Sequence, residues 1–351
     1  MFQAVALILL TLPVTWGTEE AVVTLANVPD DSAITAEGPL SRVYSPIQAA
    51  KYLDIASLNW QKDQKCVTCH TNMAYLMARP ALEKQLRSSG EVRTFFESQH
   101  TELWNSEVKK LRAGMYQPVV IATGLAFHDA KTTGKLSEVA RSALDTMWET
   151  QRVDGGWTWA KCGWAPMEID DHYGVTLAAL AVGIAPSNYA ETERAKRGIE
   201  GIRKFLAATD APSLHHRMMI AWASVHLNDL MDEMGRNQVR EEFLTQQLPD
   251  GGWSTAGLLS DWTEFKRKDG KPQDLETSDA YATGLVVLLS RELGTPVNDQ
   301  RLQAAILWLK TNQRVSGQWF TRSPSKDSKH YFTNIGSAFA ILALQSCGTI
   351  E

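Results

Sequence analysis

The sequence predicts an all-α protein built from repeated helical hairpins, and three observations lead to this prediction. First, a segment recurs as "QRVDGGWTW" from Gln151, "QLPDGGWST" from Gln247 and "QRVSGQWFT" from Gln313. Second, each copy follows an amphipathic helical stretch and precedes, after a loop, a helix rich in small apolar residues. Third, no alternating apolar run longer than a few residues has turn signals on both sides, so strands are not expected.

The recurring segment has the residues of a helix end followed by a tight turn. We expect the glutamine to end the first helix, the glycines to turn the chain, and the tryptophan to pack beneath the turn. Trp157, Trp253 and Trp319 fill this position in the three copies. The turns are therefore predicted to be structural elements that connect an outer helix to an inner one.

Six helices of the inner type follow one another along the chain. They begin near His70, Gln117, Asp170, His215, Thr277 and Phe332, and an outer-type helix such as "PIQAAKYLDIASLNWQ" precedes each of them. Six pairs can close into a ring with parallel inner helices, which predicts a single α6/α6 toroid. An open superhelical solenoid is the structural alternative.

Composition and the N-terminus limit the classes of function. With 44% hydrophobic and 21% charged residues and a formal net charge of -5, the chain has no electrostatic case for binding nucleic acid. The apolar run in "MFQAVALILLTLPVTWGTEE" predicts an export signal, with an uncleaved anchor as the alternative. We expect residues 1–17 to be a signal peptide, 18–45 a polar leader and 46–351 the toroid. The predicted location is the periplasm, and association with a membrane surface stays open.

Cys66-Val67-Thr68-Cys69-His70 is the Cys-x-x-Cys-His pattern of covalent haem attachment. Thiols at i and i+3 reach the two vinyl groups of the macrocycle, and the next residue presents an imidazole to the iron. A zinc site would need two further ligands at similar spacing, and a thioredoxin-like site would need a βαβ pattern. The sequence therefore predicts one covalent haem c per chain, attached through Cys66 and Cys69 and ligated by His70.

The haem motif occupies the turn of the first repeat. In "NWQKDQKCVTCHT", Gln61 is expected to take the place that Gln151 has in the third repeat. The two cysteines then stand where Gly-Gly-Trp stands elsewhere. This places His70 at or near the N-terminus of an inner helix, at the end of the ring that should face the cavity.

A facing loop, "WTWAKCGWAPMEIDDHYG", is the richest source of groups for the opposite side of the haem. Cys162, Met167 and His172 are candidate iron ligands there, and an open or water-bound sixth position is the alternative. Trp164 in this loop and Tyr281 at the start of another inner helix are candidate walls of the haem pocket. Both aromatic residues fall outside the tryptophan position of the repeat.

Cys162 has two other interpretations besides an iron thiolate. It is either a buried inert thiol or one half of a disulfide with Cys347. In a toroid, Cys347 ends the last inner helix whereas Cys162 precedes the start of another, so the two lie at opposite ends of the ring. Their Cα atoms would then exceed the roughly 7 Å that a disulfide allows.

The Gln-x-x-x-Gly-x-Trp repeats before small-residue helices resemble those of the squalene-hopene cyclase and prenyltransferase family, over residues 46–346. The resemblance implies an α6/α6 toroid around a central apolar cavity, although the cyclases carry two toroids. "EIDD", Glu168 to Asp171, is similar to the family's Asp-x-Asp-Asp acid motif, which would make Asp170 the proton donor. The family pattern continues with Thr-Ala, whereas this sequence has His172-Tyr173. The competing interpretation is that Asp170 and Asp171 are ordinary carboxylates at a helix N-terminus.

These observations together predict an exported monohaem protein similar to c-type cytochromes, with the haem in the central cavity of the toroid. We expect electron transfer with a redox partner protein, or redox chemistry on a small hydrophobic or gaseous ligand. The alternative is a protein similar to terpene cyclases that cyclises or binds a hydrophobic ligand. Whether the protein is an enzyme stays open.

Overall fold

The computed structural model describes residues 21–30, 35–105, 116–263, 265–328 and 330–350. Within these ranges the chain forms twelve helices of at least seven residues and no strand, only isolated β-bridges. The helices are α1 (Pro46–Gln64), α2 (Asn72–Ala78), α3 (Glu91–Asn105), α4 (Gln117–Thr132), α5 (Glu138–Glu149), α6 (Asp171–Ile184), α7 (Glu193–Ala208), α8 (Leu214–His226), α9 (Glu233–Leu244), α10 (Ala280–Glu292), α11 (Gln300–Thr311) and α12 (Phe332–Ser346). None of the described helices combines the length and apolar character needed to cross a membrane.

The even-numbered helices form a closed inner ring. α2 contacts α4, and the contacts continue through α6, α8 and α10 to α12, which packs back against α2. Each odd-numbered helix packs outside this ring against at least one inner helix, and α1 bridges α2 and α12. In an open solenoid each repeat contacts only its sequence neighbours, so the first and last inner helices would not meet. The prediction of an all-α toroid of six helical pairs is therefore confirmed.

Small residues let the inner helices approach one another closely. A Cβ added to Gly284 of α10 would lie 2.6 Å from the carbonyl carbon of Phe339 in α12, so any larger residue would force these helices apart. The outer helices are capped by short polar side chains instead. Ser137, Thr192 and Asp232 each accept a hydrogen bond from the backbone amide of the third residue of α5, α7 and α9 respectively.

The three recurring turns share one hydrogen-bond pattern. In each, the glutamine Nε2 donates to a glycine carbonyl four residues later and to a backbone carbonyl at or beside the next outer helix. The pairs of acceptors are Gly155 and Gly198 for Gln151, Gly251 and Arg301 for Gln247, and Gly317 and Ser45 for Gln313. Because Ser45 immediately precedes α1, the bond that joins neighbouring repeats also joins the last repeat to the first.

The tryptophans of these turns are fully buried, as predicted. Their indole Nε1 atoms donate to carbonyls ten residues earlier, in the preceding outer helix: Trp157 to Met147, Trp253 to Phe243 and Trp319 to Leu309. Each tryptophan therefore bonds to one of the last carbonyls of the preceding outer helix, which accept no hydrogen bond from an amide of that helix.

The first repeat departs from the predicted correspondence. Gln61 lies inside α1, which continues to Gln64, and its buried Oε1 has no hydrogen-bond partner. The prediction that Gln61 replaces Gln151 is therefore wrong, because α1 runs past it before the chain turns. The turn is made instead at Lys65, which adopts a left-handed conformation with φ of 50°.

The described part of the leader lies against the ring. The amide of Val315 donates to the carbonyl of Pro39, and the amide of Ser41 donates to the carbonyl of Gln313. The Asn59 side chain donates to the carbonyl of Pro29. The predicted signal peptide, residues 1–17, lies outside the described residues.

Candidate functional site

The polar side chains of interest collect where the inner helices begin. His70 precedes α2, Asp170 caps α6, and His215 lies at the start of α8. Tyr281 is the second residue of α10, and its hydroxyl lies 2.8 Å from Nε2 of His215. Because the inner helices are parallel, their N-termini share one end of the ring.

The Cys-x-x-Cys-His turn is held by side chains of the helices on either side of it. The amide of Thr68 donates to Oδ1 of Asn72 over 2.8 Å, and Nδ2 of Asn72 donates to the carbonyl of Cys66 over 3.1 Å. Nε1 of Trp60 donates to the same carbonyl. Asn72 and Trp60 thus fix the turn without the glycines that the other repeats use.

Within this turn the two thiols are free and the histidine is neutral. Cys66 is half-buried and Cys69 is buried, and burial raises the pKa of both thiols. Burial also lowers the pKa of His70 to about 3. The imidazole is therefore uncharged at neutral pH, which is the form that binds metals.

Aromatic rings and one hydroxyl orient the imidazole of His70. Its Nδ1 lies 2.8 Å from the Thr71 hydroxyl. Its ring stacks on that of Tyr331, with centroids 5.4 Å apart and planes 7° apart, and meets the Trp60 ring edge-on at 4.8 Å. The bond at Nδ1 leaves Nε2 as the nitrogen available to a ligand.

The loop predicted to face the motif does so through Glu168. Its Oε1 lies 3.8 Å from Sγ of Cys69 and 3.9 Å from Nε2 of His70. Burial raises the pKa of the Glu168 carboxyl, although hydrogen bonds with Cys162 and Cys69 act in the opposite direction. Sequence reasoning treated Glu168 only as part of "EIDD". The available signal was a carboxylate that directly follows the apolar "WAPM".

Cys162 and Trp164 lie at the outer edge of the same loop. Cys162 is exposed, and the interaction of its thiol with Glu168 brings it into the group around the motif. The Trp164 ring is half-buried, with its centroid 6.2 Å from that of Tyr331. The Lys326 ammonium lies 5.2 Å from the Trp164 ring. These two predicted residues are thus near the motif, and Cys162 is not the buried thiol of the inert alternative.

His172 and Met167 are placed differently from the expectation. The ring contacts of His172 are with Phe205 of α7 and with His216, and none of the described contacts joins it to the haem motif. The reason is its position in the first turn of α6, which directs the ring toward the outer helix. Met167 is fully buried, and its carbonyl accepts a hydrogen bond from Trp159.

Tyr281 lies inside the ring rather than at its edge. It is fully buried, and burial followed by the charge of Cys69 raises its pKa well above the usual range. Its partner His215 is also fully buried, and the Nδ1 of that imidazole has no hydrogen-bond partner. Tyr281 and His215 therefore form a buried polar pair, and the charge of Cys69 acts on its tyrosine.

The donor atoms of the turn match what a covalently attached haem requires. Two unbonded thiols and one neutral imidazole lie in a single turn, and the buried hydroxyl of Thr68 within it has no hydrogen-bond partner. Among the described residues there is no group of three or more His, Cys, Asp or Glu side chains arranged to hold a bare metal ion. A porphyrin needs no such group, because it supplies four nitrogen ligands itself.

The carboxylates of "EIDD" are engaged at the start of α6. Oδ1 of Asp170 accepts from the backbone amide of His172, and Oδ2 lies 3.0 Å from Nε2 of His216. Burial opposes ionisation of Asp170, but the hydrogen bond and charge of His216 outweigh it and the pKa is lowered. Asp171 pairs with Arg152 at 2.6 Å. The prediction of a carboxylate at the helix N-terminus is confirmed, with Asp170 as the N-cap.

Comparison with known proteins yields a structural likeness alone. No family model matches the chain, and no curated protein matches it. Among solved structures, a variant of a type II terpene cyclase from Scytonema in complex with its substrate, geranylgeranyl dihydroxybenzoate, is similar at 12% identity. The match covers 87% of this chain and 99% of the cyclase chain, with a TM-score of 0.44. At this similarity the toroid is assigned from the helix contacts described above, and no function is assigned from the likeness.

Proposed function

We propose that this toroid carries one covalent haem c at the N-terminal end of its inner helices and acts in electron transfer or in redox chemistry on a small ligand. The proposal is supported chiefly by the placement of Cys66, Cys69 and His70 in one turn, with free thiols and a neutral imidazole. A loop containing Glu168 and Cys162 faces this turn.

Each residue of the turn has a defined part in holding the group. The thiols of Cys66 and Cys69 would become thioethers, and Nε2 of His70 would bind the iron. Thr71 and Tyr331 keep the imidazole in one orientation through the bond at Nδ1 and the ring stack. Burial of Cys69 disfavours a charged thiolate. A thioether has no ionisable proton, so its sulfur can be buried without this penalty. When bound, the haem supplies a one-electron redox centre and an iron site for small ligands.

Glu168 and its neighbours set the environment on the facing side. The buried carboxyl, with its raised pKa, holds a proton to higher pH than an exposed glutamate does. It lies close to both the Cys69 sulfur and the His70 nitrogen. Tyr331 and Trp60 pack against the imidazole of His70, which is buried among these rings.

Visible spectroscopy of protein matured in a host that attaches haem c tests this function. We expect haem absorption in the wild type that persists after denaturation, and none in the Cys66→Ala/Cys69→Ala variant. The Cys347→Ala variant is the matched control and should keep the spectrum, because Cys347 lies at the end of α12. A changed spectrum with carbon monoxide would favour ligand chemistry, and an unchanged one electron transfer. Absence of covalent haem in the wild type would overturn the proposal.

A second candidate is acid-type cyclisation or binding of a hydrophobic ligand in the toroid, favoured by the contact between Asp170 and His216. A histidine beside a carboxylate is an arrangement that moves protons. Incubation with a linear polyprene tests it. A cyclic product that disappears in Asp170→Asn but not in Asp171→Asn would support cyclisation, and no product in any of the three proteins would contradict it.

A further inference from the structure

A cavity of about 340 Å³ lies between the turns of the fifth and sixth repeats, away from the haem motif. Its volume is within the range of small-molecule sites, roughly 300–1,000 Å³. Trp308 and Phe320 supply aromatic surface, and Asp250 and Arg314 supply opposite charges. We call it the rim cavity.

The turn of the third repeat contains both an arginine and an aspartate, and the two form an ion pair. There, "QRVDGGW" places an arginine one residue after the glutamine and an aspartate three residues after it. Arg152 binds Asp154 at 2.8 Å and Asp171 at 2.6 Å. The turn thus contains its own ion pair, and neither charge needs an external partner.

The fifth and sixth repeats divide this ion pair between them. In "QLPDGGW" Leu248 stands in the arginine position, so the turn contains the carboxylate of Asp250 but no arginine. The side-chain partners of Asp250 are neutral: the Ser278 hydroxyl and the Trp308 indole. In "QRVSGQW" Ser316 stands in the aspartate position, so Arg314 keeps the guanidinium alone.

Arg314 has a specific deficit of partners. Its Nε is buried without a hydrogen bond, and no ion pair joins it to any carboxylate in the described residues. Burial lowers the pKa of Arg314, and the charge of Glu37 in the leader opposes this only in part. The buried Nε lacks an acceptor and the Glu37 carboxylate forms no ion pair with the guanidinium, so Arg314 is suited to bind an anion in the rim cavity.

Other lining residues of the rim cavity are suited to a cation or to hydrogen-bond donors. Asp250 and the buried Asp279 are among them, and the Asp279 carboxylate accepts from neutral donors on Thr255 and Ala282. The side-chain oxygen of Gln273, also in the lining, is buried without a partner. Asp250 and Asp279 thus form no ion pair of their own within the described residues, whereas Arg322, also in the lining, pairs with Asp274.

We propose that the rim cavity binds a small zwitterion of the α-amino-acid or dipeptide class, with its carboxylate on Arg314 and its ammonium on Asp250. Such a ligand restores between two repeats the ion pair that the third repeat makes within one. An aromatic or large apolar side chain on the ligand would lie against Trp308 and Phe320. This inference is independent of the haem, because it concerns other repeats and other residues.

Calorimetric titration of the purified full chain tests the proposal, with L-phenylalanine and glycyl-L-phenylalanine as probes. N-acetyl-L-phenylalanine and L-phenylalaninamide each lack one of the two charges. We expect both zwitterions to bind and each analogue to bind about tenfold or more weakly, the loss of one charged contact.

The Ser316→Asp variant rebuilds the internal partner that Arg152 has, and should weaken zwitterion binding by about tenfold or more. Ser316→Asn is the matched control of equal size without the charge, and should bind as the wild type does. Ser316 is exposed, and aspartate already occupies this position in two other repeats, so an unchanged melting temperature without ligand will confirm folding. Failure of both zwitterions to bind, equal binding of the analogues, or equal affinity of the two variants would overturn the proposal.

Discussion

Replacing Gln313 with alanine removes the side chain that joins the last repeat to the first. Its Oε1 accepts from the amide of Ser45, and its Nε2 donates to the carbonyls of Ser45 and Gly317. The three distances are 2.7, 3.0 and 3.2 Å, and the side chain is fully buried. The variant Gln313→Ala therefore tests closure of the ring at its seam.

The expected cost follows from these three contacts. A buried hydrogen bond contributes about 1 kcal/mol net, so their loss should lower the free energy of unfolding by about 3 kcal/mol.

Gln61→Ala is the matched control. Gln61 is a buried glutamine inside α1, and its Oε1 has no partner. We expect a loss of about 1 kcal/mol or less there, from packing alone. Urea unfolding followed by circular dichroism measures both variants, and hydrogen exchange at the Ser45 amide reports the seam directly.

An equal cost for Gln313→Ala and Gln61→Ala would refute this reasoning. So would an unchanged exchange rate of the Ser45 amide in Gln313→Ala, since that amide loses its only described acceptor. Either result would mean that ring closure depends on helix packing and not on the turn glutamine.

Three further predictions concern the turns and the rim cavity. Gly155→Ala should lower the free energy of unfolding in urea by about 3 kcal/mol, because φ is +92° and the new Cβ would meet a backbone oxygen of α7. Gly270→Ala, at φ +70° with open space around it, should lower it by about 1 kcal/mol. Trp253→Phe should cost about 2 kcal/mol, through the lost 2.7 Å bond to a carbonyl of α9 and the smaller ring, as a thermal melt would show. Burial raises the pKa of Asp279 to about 6. Between about pH 4 and 6 the folded state therefore holds a proton on Asp279 that the unfolded chain has lost. The free energy of unfolding should fall by up to about 3 kcal/mol as pH rises from about 4 to 6. Denaturant titrations over that range should show no such fall for Asp279→Asn.

The architecture could be predicted from the sequence because each repeat carries the same short local pattern. The spacing of glutamine, glycine and tryptophan marks each turn, and the small apolar residues mark each inner helix. The count of six pairs allowed a closed ring or an open solenoid, and the contact between α2 and α12 decides for the ring. The correspondence of Gln61 could not be predicted in this way, because the length of α1 is set by packing and by Lys65, which ends it in a left-handed conformation that sequence rules assign to glycine.

The sequence predicted which turn and which loop form the candidate site, but it did not predict which side chains of the loop contact the turn. The loop opposite the haem motif followed from the ring, since both precede inner helices. Which residue of the loop faces the motif depends on a tight turn in which the amide of Glu168 donates to the carbonyl of Trp164. This turn brings Glu168 to Cys69 and leaves His172 on the far side of the Asp170 cap, a distinction that residue types alone do not carry.

The intact mass of the purified, denatured protein tests the central claim most directly. A covalent haem survives denaturation, so we predict the mass of the chain without its signal peptide plus one haem, together with two titratable thiols, those of Cys162 and Cys347. Loss of the added mass in Cys66→Ala/Cys69→Ala would localise the attachment. A mass equal to the bare chain, with all four thiols titratable after maturation in a host that attaches haem c, would contradict the account.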